Sequence, residues 1–203
     1  MRTPAPPPLK RFIWDIQFMV ELAESEREIL VIGRDLMARL VASDDWLPDA
    51  FAVPDAEQCQ HHLLYSDGLE RFSVVSTVFD GGQSLPACQD RIWEIRGLLR
   101  GSIGAQHFLW EPGNAPRPKD EVKRVKPGSV DVVSPKKVEA IQLSNALPGT
   151  VSISIHVYGG DFGKNLRHAL YADGTAHAFI STYANSDDSP AYDIWSIKTE
   201  ICD

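Results

Sequence analysis

His62-Leu63-Leu64-Tyr65, then Ser66-Asp67-Gly68, then Phe72-Ser73-Val74-Val75-Ser76-Thr77-Val78-Phe79 is the stretch that decides the fold. The second run is rich in β-branched and aromatic residues, the first is apolar apart from His62, and the polar, glycine-containing segment between them is a turn signal. Downstream, runs of the same kind recur at 92–99, 105–110, 130–133, 140–143, 150–158 and 176–182. Turn clusters part them: Glu111-Pro112-Gly113-Asn114, Pro127-Gly128 and Leu147-Pro148-Gly149. Several short strands at close spacing predict a sandwich or barrel. The polar stretch 113–125 reads as a surface loop, with Lys123, Arg124 and Lys126 as solvated charges.

Upstream the period changes. Phe12, Ile16, Met19, Val20 and Ala23 share one helix face, and Ile29, Ile32, Leu36 and Leu40 share another. Asp44-Asp45-Trp46-Leu47-Pro48 ends the second helix, because the residue before a proline is pushed out of helical geometry. The proline-rich opening, 1–8, reads as a disordered tail. The expected organisation is a single domain with helices over 9–45 and a β barrel over 46–203.

The chain has 203 residues, of which 43% are hydrophobic, enough for one sizeable core. Its 20 Lys+Arg against 28 Asp+Glu leave a formal net charge of −8. An acidic chain without a basic stripe has no electrostatic reason to track nucleic acid or anionic lipid. No apolar run approaches the ~18 residues of a membrane helix. The opening lacks the apolar centre of a secretory leader, and Cys59, Cys88 and Cys202 make no paired framework. These features lead to the expectation of a cytoplasmic location.

Several ordered blocks resemble the thiol dioxygenases, in particular cysteine dioxygenase and 3-mercaptopropionate dioxygenase. They are Leu63-Leu64-Tyr65 with Arg71-Phe72-Ser73-Val74-Val75, Trp93 with Gly97-Leu98-Leu99-Arg100-Gly101, Ser144-Asn145-Ala146-Leu147, and Ser152-Ile153-Ser154-Ile155-His156-Val157-Tyr158-Gly159. Arg167-His168 and Phe179-Ile180-Ser181-Thr182-Tyr183 continue the likeness, which spans roughly 46–185. The resemblance implies a mainly β fold, a cupin double-stranded β-helix or jelly-roll barrel preceded by helices.

It also implies a ferrous ion on three histidines, and here the chain departs from the pattern. The His-x-His pair falls on Cys88-Gln89-Asp90 and the third histidine on Ile141, which has no lone pair to give. No cofactor is therefore expected. The one opening for iron, zinc or another divalent ion is a set of Cys88, Asp90 and Glu94, which would share a face if all lay on one strand. The alternative is that Cys88 packs as a small hydrophobe while the two carboxylates pair with Arg96, Arg167 or solvent.

Other family positions survive. Ser154, His156 and Tyr158 keep an alternating Ser-x-His-x-Tyr, which in the family is a hydrogen-bonded relay. Arg167 matches the arginine that grips the substrate carboxylate, and His61 falls where the family has a substrate-pocket Gln or Arg. A planar guanidinium suits a carboxylate because it offers two parallel bonds. Adjacent His61 and His62 on a strand must point to opposite faces, so at most one looks inward.

The resulting expectation is a divergent cupin without the family's iron site. It would bind or transform a small carboxylate or amino-acid-like substrate held by Arg167 and His61. Ser154, His156, Tyr158, Asp90 and Glu94 are the candidate catalytic groups. Two alternatives stand beside it: a non-catalytic ligand- or partner-binding cupin with a filled barrel, and a dioxygenase with an unusual ligand set.

Overall fold

A computed structural model describes residues 5–111, 113–136 and 139–185. Cys202 and the end of the expected barrel region lie outside the described residues.

Helix α1 (Pro7–Leu22) begins inside the proline-rich opening. Pro7 and Pro8 occupy its first turn, where a missing N–H costs nothing and the fixed φ favours the helix. Lys10 N–H donates to the Pro6 carbonyl at 2.9 Å, and Ala5 is buried. The described part of the expected tail, from Ala5, is therefore ordered. In α2 (Glu26–Leu40), Ser25 caps the start by accepting from Glu28 N–H. The indole of Trp46 donates to the Leu40 carbonyl at 3.0 Å, satisfying one of the orphan acceptors at the helix end. A 3-10 turn, Asp49–Phe51, leads to the strands.

The strands are β1 (Gln60–Ser66), β2 (Ser73–Phe79), β3 (Cys88–Gln89), β4 (Glu94–Arg100), β5 (Ile103–Leu109), β6 (Arg117–Pro118), β7 (Lys123–Val125), β8 (Val130–Val133), β9 (Glu139–Asn145), β10 (Ser152–Tyr158), β11 (Leu166–Leu170) and β12 (Ala176–Ile180). The expected surface loop thus contains β6 and β7, which both add to the edge of β5. Their side chains are largely exposed and charged, so no alternation betrays them.

One sheet runs β1-β2-β10-β4-β8 and the other β12-β11-β3-β9-β5-β6. All pairings are antiparallel, and those of β2 with β10, β3 with β9, β4 with β8 and β5 with β7 nest inside one another. The chain is therefore one long hairpin, β2 to β5 outward and β7 to β10 back, wound so that its members alternate between two sheets. That connectivity is a double-stranded β-helix, or jelly roll.

Strand alternation gives β10 two faces. Ile153, Ile155 and Val157 point outward and join Leu9, Phe12, Ile13, Ile16 and Met37 in the main core beneath the helices. Helix α2 approaches β4 closely at Gly97, where a Cβ would lie 2.8 Å from both Met37 and Val41 side-chain carbons. Ser154, His156 and Tyr158 point the other way, between the sheets. Their cross-strand partners are Thr77, Val75 and Ser73 on β2, and Leu98, Arg96 and Glu94 on β4. No helix among the described residues is long and apolar enough to cross a membrane.

Candidate functional site

The inner face of the five-stranded sheet carries a polar stripe. His61 and His62 take opposite faces, as alternation requires. His61 faces inward, its Nδ1 3.0 Å from Thr77 Oγ1, while His62 lies edge-on to Phe51 near the helices. Burial, reinforced by Arg167, His156 and His62, lowers the His61 pKa to about 3, so its imidazole is neutral.

His156 is held at both ring nitrogens. Ser154 Oγ lies 2.6 Å from Nε2, and Glu94 Oε1 lies 2.6 Å from Nδ1. Burial alone would raise the Glu94 carboxyl, but Arg96, the His156 hydrogen bond and Arg167 outweigh it and hold the pKa at about 2. Glu94 is therefore an ionised, accept-only group, and His156 Nδ1 carries the proton it receives. Arg96 NH1 lies 3.7 Å from Glu94 Oε2, and its NH2 donates to Asp131 at 2.9 Å. The line Asp131–Arg96–Glu94–His156–Ser154 runs through the interior, and all but Asp131 are buried. Ser154, Arg96 and Asp131 also line a cavity of about 30 Å³, room for about two water molecules.

The expected Ser-His-Tyr relay is altered. The Tyr158 hydroxyl is 3.3 Å from His156 Nδ1, but Glu94 lies closer, and the two rings stack nearly parallel at 8°. A carboxylate facing an imidazole N–H wins over a phenol. Burial, with Glu94 adding to it, raises the Tyr158 pKa well above its ordinary value, so the phenol stays protonated. Phe162 stacks on the far side of Tyr158, centroids 4.5 Å apart, and carries the Arg167 guanidinium at 5.0 Å. Phe179 flanks that guanidinium at 5.7 Å.

Arg167 is 7% exposed and points into this aromatic cradle. Its Nε and NH2 donate to the two Asp90 oxygens at 2.5 and 3.0 Å, and NH1 donates to Ser181 Oγ at 3.2 Å. The carboxylate fork expected for a substrate is thus filled by Asp90. Of the two expectations for the acids, pairing with Arg96 and Arg167 is the one found.

Cys88, Asp90 and Glu94 do not share a strand face. The ladder stops at Gln89, and by Glu94 the chain has crossed to the other sheet. Cys88 and Ile141 are direct cross-strand partners on β3 and β9. The residues do not fit an iron centre. Ile141 offers no donor, both Asp90 oxygens are engaged by Arg167, and burial pushes the Cys88 thiol up to about 11. Among the described residues, no three His, Cys, Asp or Glu side chains are grouped to hold a metal.

Sequence reasoning missed Phe162 and Asp131. Phe162 had a signal: a lone aromatic between Asp161 and Gly163 in an otherwise polar turn. Asp131 sits in the 130–133 run but shows its partner only through the Arg96–Asp131 register.

No family model matches the chain. Solved structures with similar architecture include an uncharacterised conserved protein with a double-stranded β-helix domain from Klebsiella pneumoniae, at 14% identity and TM-score 0.42, covering 66% of this chain and 93% of that one. An RmlC-like cupin family protein from Methanocaldococcus jannaschii shares 14% identity over 53% of this chain and 85% of its own, at TM-score 0.40. KdgF from a Halomonas species shares 17% identity over 57% and 93%, at TM-score 0.42. The scaffold of this chain is, by its own strand connectivity, a double-stranded β-helix. In its interior the barrel wall supplies both partners of the Arg167–Asp90 and Arg96–Glu94 pairs.

Proposed function

We propose that this cupin binds a small carboxylate-bearing, amino-acid-like molecule at Arg167 and acts on it by proton transfer at His156. The observation that carries the reading is the Arg167 site itself. A buried guanidinium, sandwiched by Phe162 and Phe179, grips a carboxylate with two parallel hydrogen bonds. The carboxylate belongs to Asp90, which lies outside either strand and can be exchanged without breaking a ladder. Tyr158 and Phe162 connect this site to His156 through stacked rings. Glu94 holds the His156 tautomer, which leaves Nε2 to exchange a proton through Ser154. The residue likeness to the thiol dioxygenases supports the same pocket, with proton transfer in place of their iron chemistry.

A second reading has its own support. Arg167 pairs with Asp90, Arg96 with Asp131 and Glu94 with His156, so these interior charges are satisfied within the chain. A non-catalytic cupin with a closed barrel would look the same. Thermal-shift and calorimetric titrations with propionate, 3-mercaptopropionate, L-alanine and L-cysteine separate the two. Saturable binding that weakens at least tenfold in Arg167→Lys supports the first reading, since lysine keeps a charge for Asp90 but loses the fork. No binding by any of the four supports the closed barrel.

A further inference from the structure

Asp90 must find another partner when a ligand takes its place on Arg167. We infer that Asp90 is a specificity-determining residue that receives a ligand ammonium, so that the site selects zwitterions over simple carboxylates. This deepens the carboxylate reading above and rests on it.

Arg167 gives Nε and NH2 to Asp90 and NH1 to Ser181, so a ligand carboxylate reaches the fork only by displacing Asp90. A simple carboxylate would satisfy Arg167 but strand the Asp90 carboxylate, whose side chain is 9% exposed, without a counter-charge. Among the described residues, the interior offers no spare cation for it. Arg96 is held by Asp131 at 2.9 Å and by Glu94 at 3.7 Å, and His61 is neutral. Glu94 is itself anionic and adds to the repulsion. An ammonium one or two carbons from the ligand carboxylate removes the deficit. The carboxylate takes the guanidinium, the ammonium takes Asp90, and the interior keeps its net charge. Asp90 stands in the 90–93 connection between β3 and β4, clear of ladder pairing, so its displacement breaks no strand hydrogen bond. Within this site the amino group is recognised by the protein's own carboxylate, and no thiol is required.

The test uses two matched pairs that differ only in the amino group, L-alanine against propionate and L-cysteine against 3-mercaptopropionate. Affinities are measured by titration calorimetry on the full chain and on Asp90→Asn. The expected result is binding of the amino member at least tenfold tighter in wild type, with the preference lost in Asp90→Asn. Desamino acids that bind as tightly as the amino acids, or a preference that survives Asp90→Asn, overturn the Asp90 assignment and leave the carboxylate reading standing. Binding by none of the four overturns both. Should Asp90→Asn fail to fold, the wild-type comparison alone decides.

Discussion

Replacing Glu94 by glutamine removes a negative charge from the barrel while keeping the side chain's size and its ability to accept from His156 Nδ1. Glu94 is 4% exposed and faces both Arg96 and His156. An ordinary glutamate titrates near 4.5, whereas this one is held at about 2. That gap corresponds to about 3 kcal/mol of folding free energy linked to the ionised form. Because the folded-state pKa is depressed, this stability is complete above the unfolded value and is lost as pH falls from there through about 2. Glutamine cannot ionise, so Glu94→Gln should be less stable than wild type by about 3 kcal/mol at neutral pH. For a chain of this size that is a fall in melting temperature of roughly 6–12 °C. The difference should shrink in acid, with about 1.4 kcal/mol of it gone by roughly pH 3.5. Asp67 and Glu139, whose carboxyls are also held low, titrate alike in both proteins and cancel in the comparison. Urea unfolding curves at neutral pH and at roughly pH 5 and 3.5 measure both quantities. A difference below about 1 kcal/mol at neutral pH, or one that does not narrow in acid, would refute an ionised Glu94 held by Arg96 and His156.

The His61 imidazole should not titrate between about pH 5 and 8, because its pKa lies at about 3. An NMR pH series on histidine ring protons checks this, and a mid-range titration of His61 would contradict its inward burial. Gly101 has a φ of +82°, and a Cβ there would lie 2.2 Å from Ser152 Oγ. Gly101→Ala should therefore cost about 2 kcal/mol or more, and an unchanged urea midpoint would show that the β4–β5 turn is not the constraint it looks.

The long β runs were legible because their side chains advertise burial. Residues 72–79 and 150–158 are dense in Val, Ile and Phe, and both became central strands of one sheet. β3 was not legible, since two residues after Pro86 carry no period, and β11 was obscured by Arg167 and His168. In the site, Ser154, His156 and Tyr158 could be assigned to one face from alternation alone. Their partners could not be placed from sequence. Glu94 stands 62 residues from His156, and Asp90 stands 77 from Arg167, so each pair exists only through the winding of the barrel. The likeness to a metal-binding motif drew Cys88, Asp90 and Glu94 together. Alternation along a strand presumes an unbroken strand, and the crossing between sheets at 90–93 breaks it.

The nested hairpin also constrains how the protein can be made. Helices α1 and α2 leave the ribosome before the strands, yet the sheet they rest on has β10 between β2 and β4. Until residue 158 has emerged, β2 and β4 have no neighbour to join them, and the apolar faces of both helices and strands remain uncovered. Synthesis must therefore pass Tyr158 before the core beneath the helices can close. Premature termination anywhere before that point should yield a polypeptide for chaperones and proteases, with no smaller stable fragment left behind.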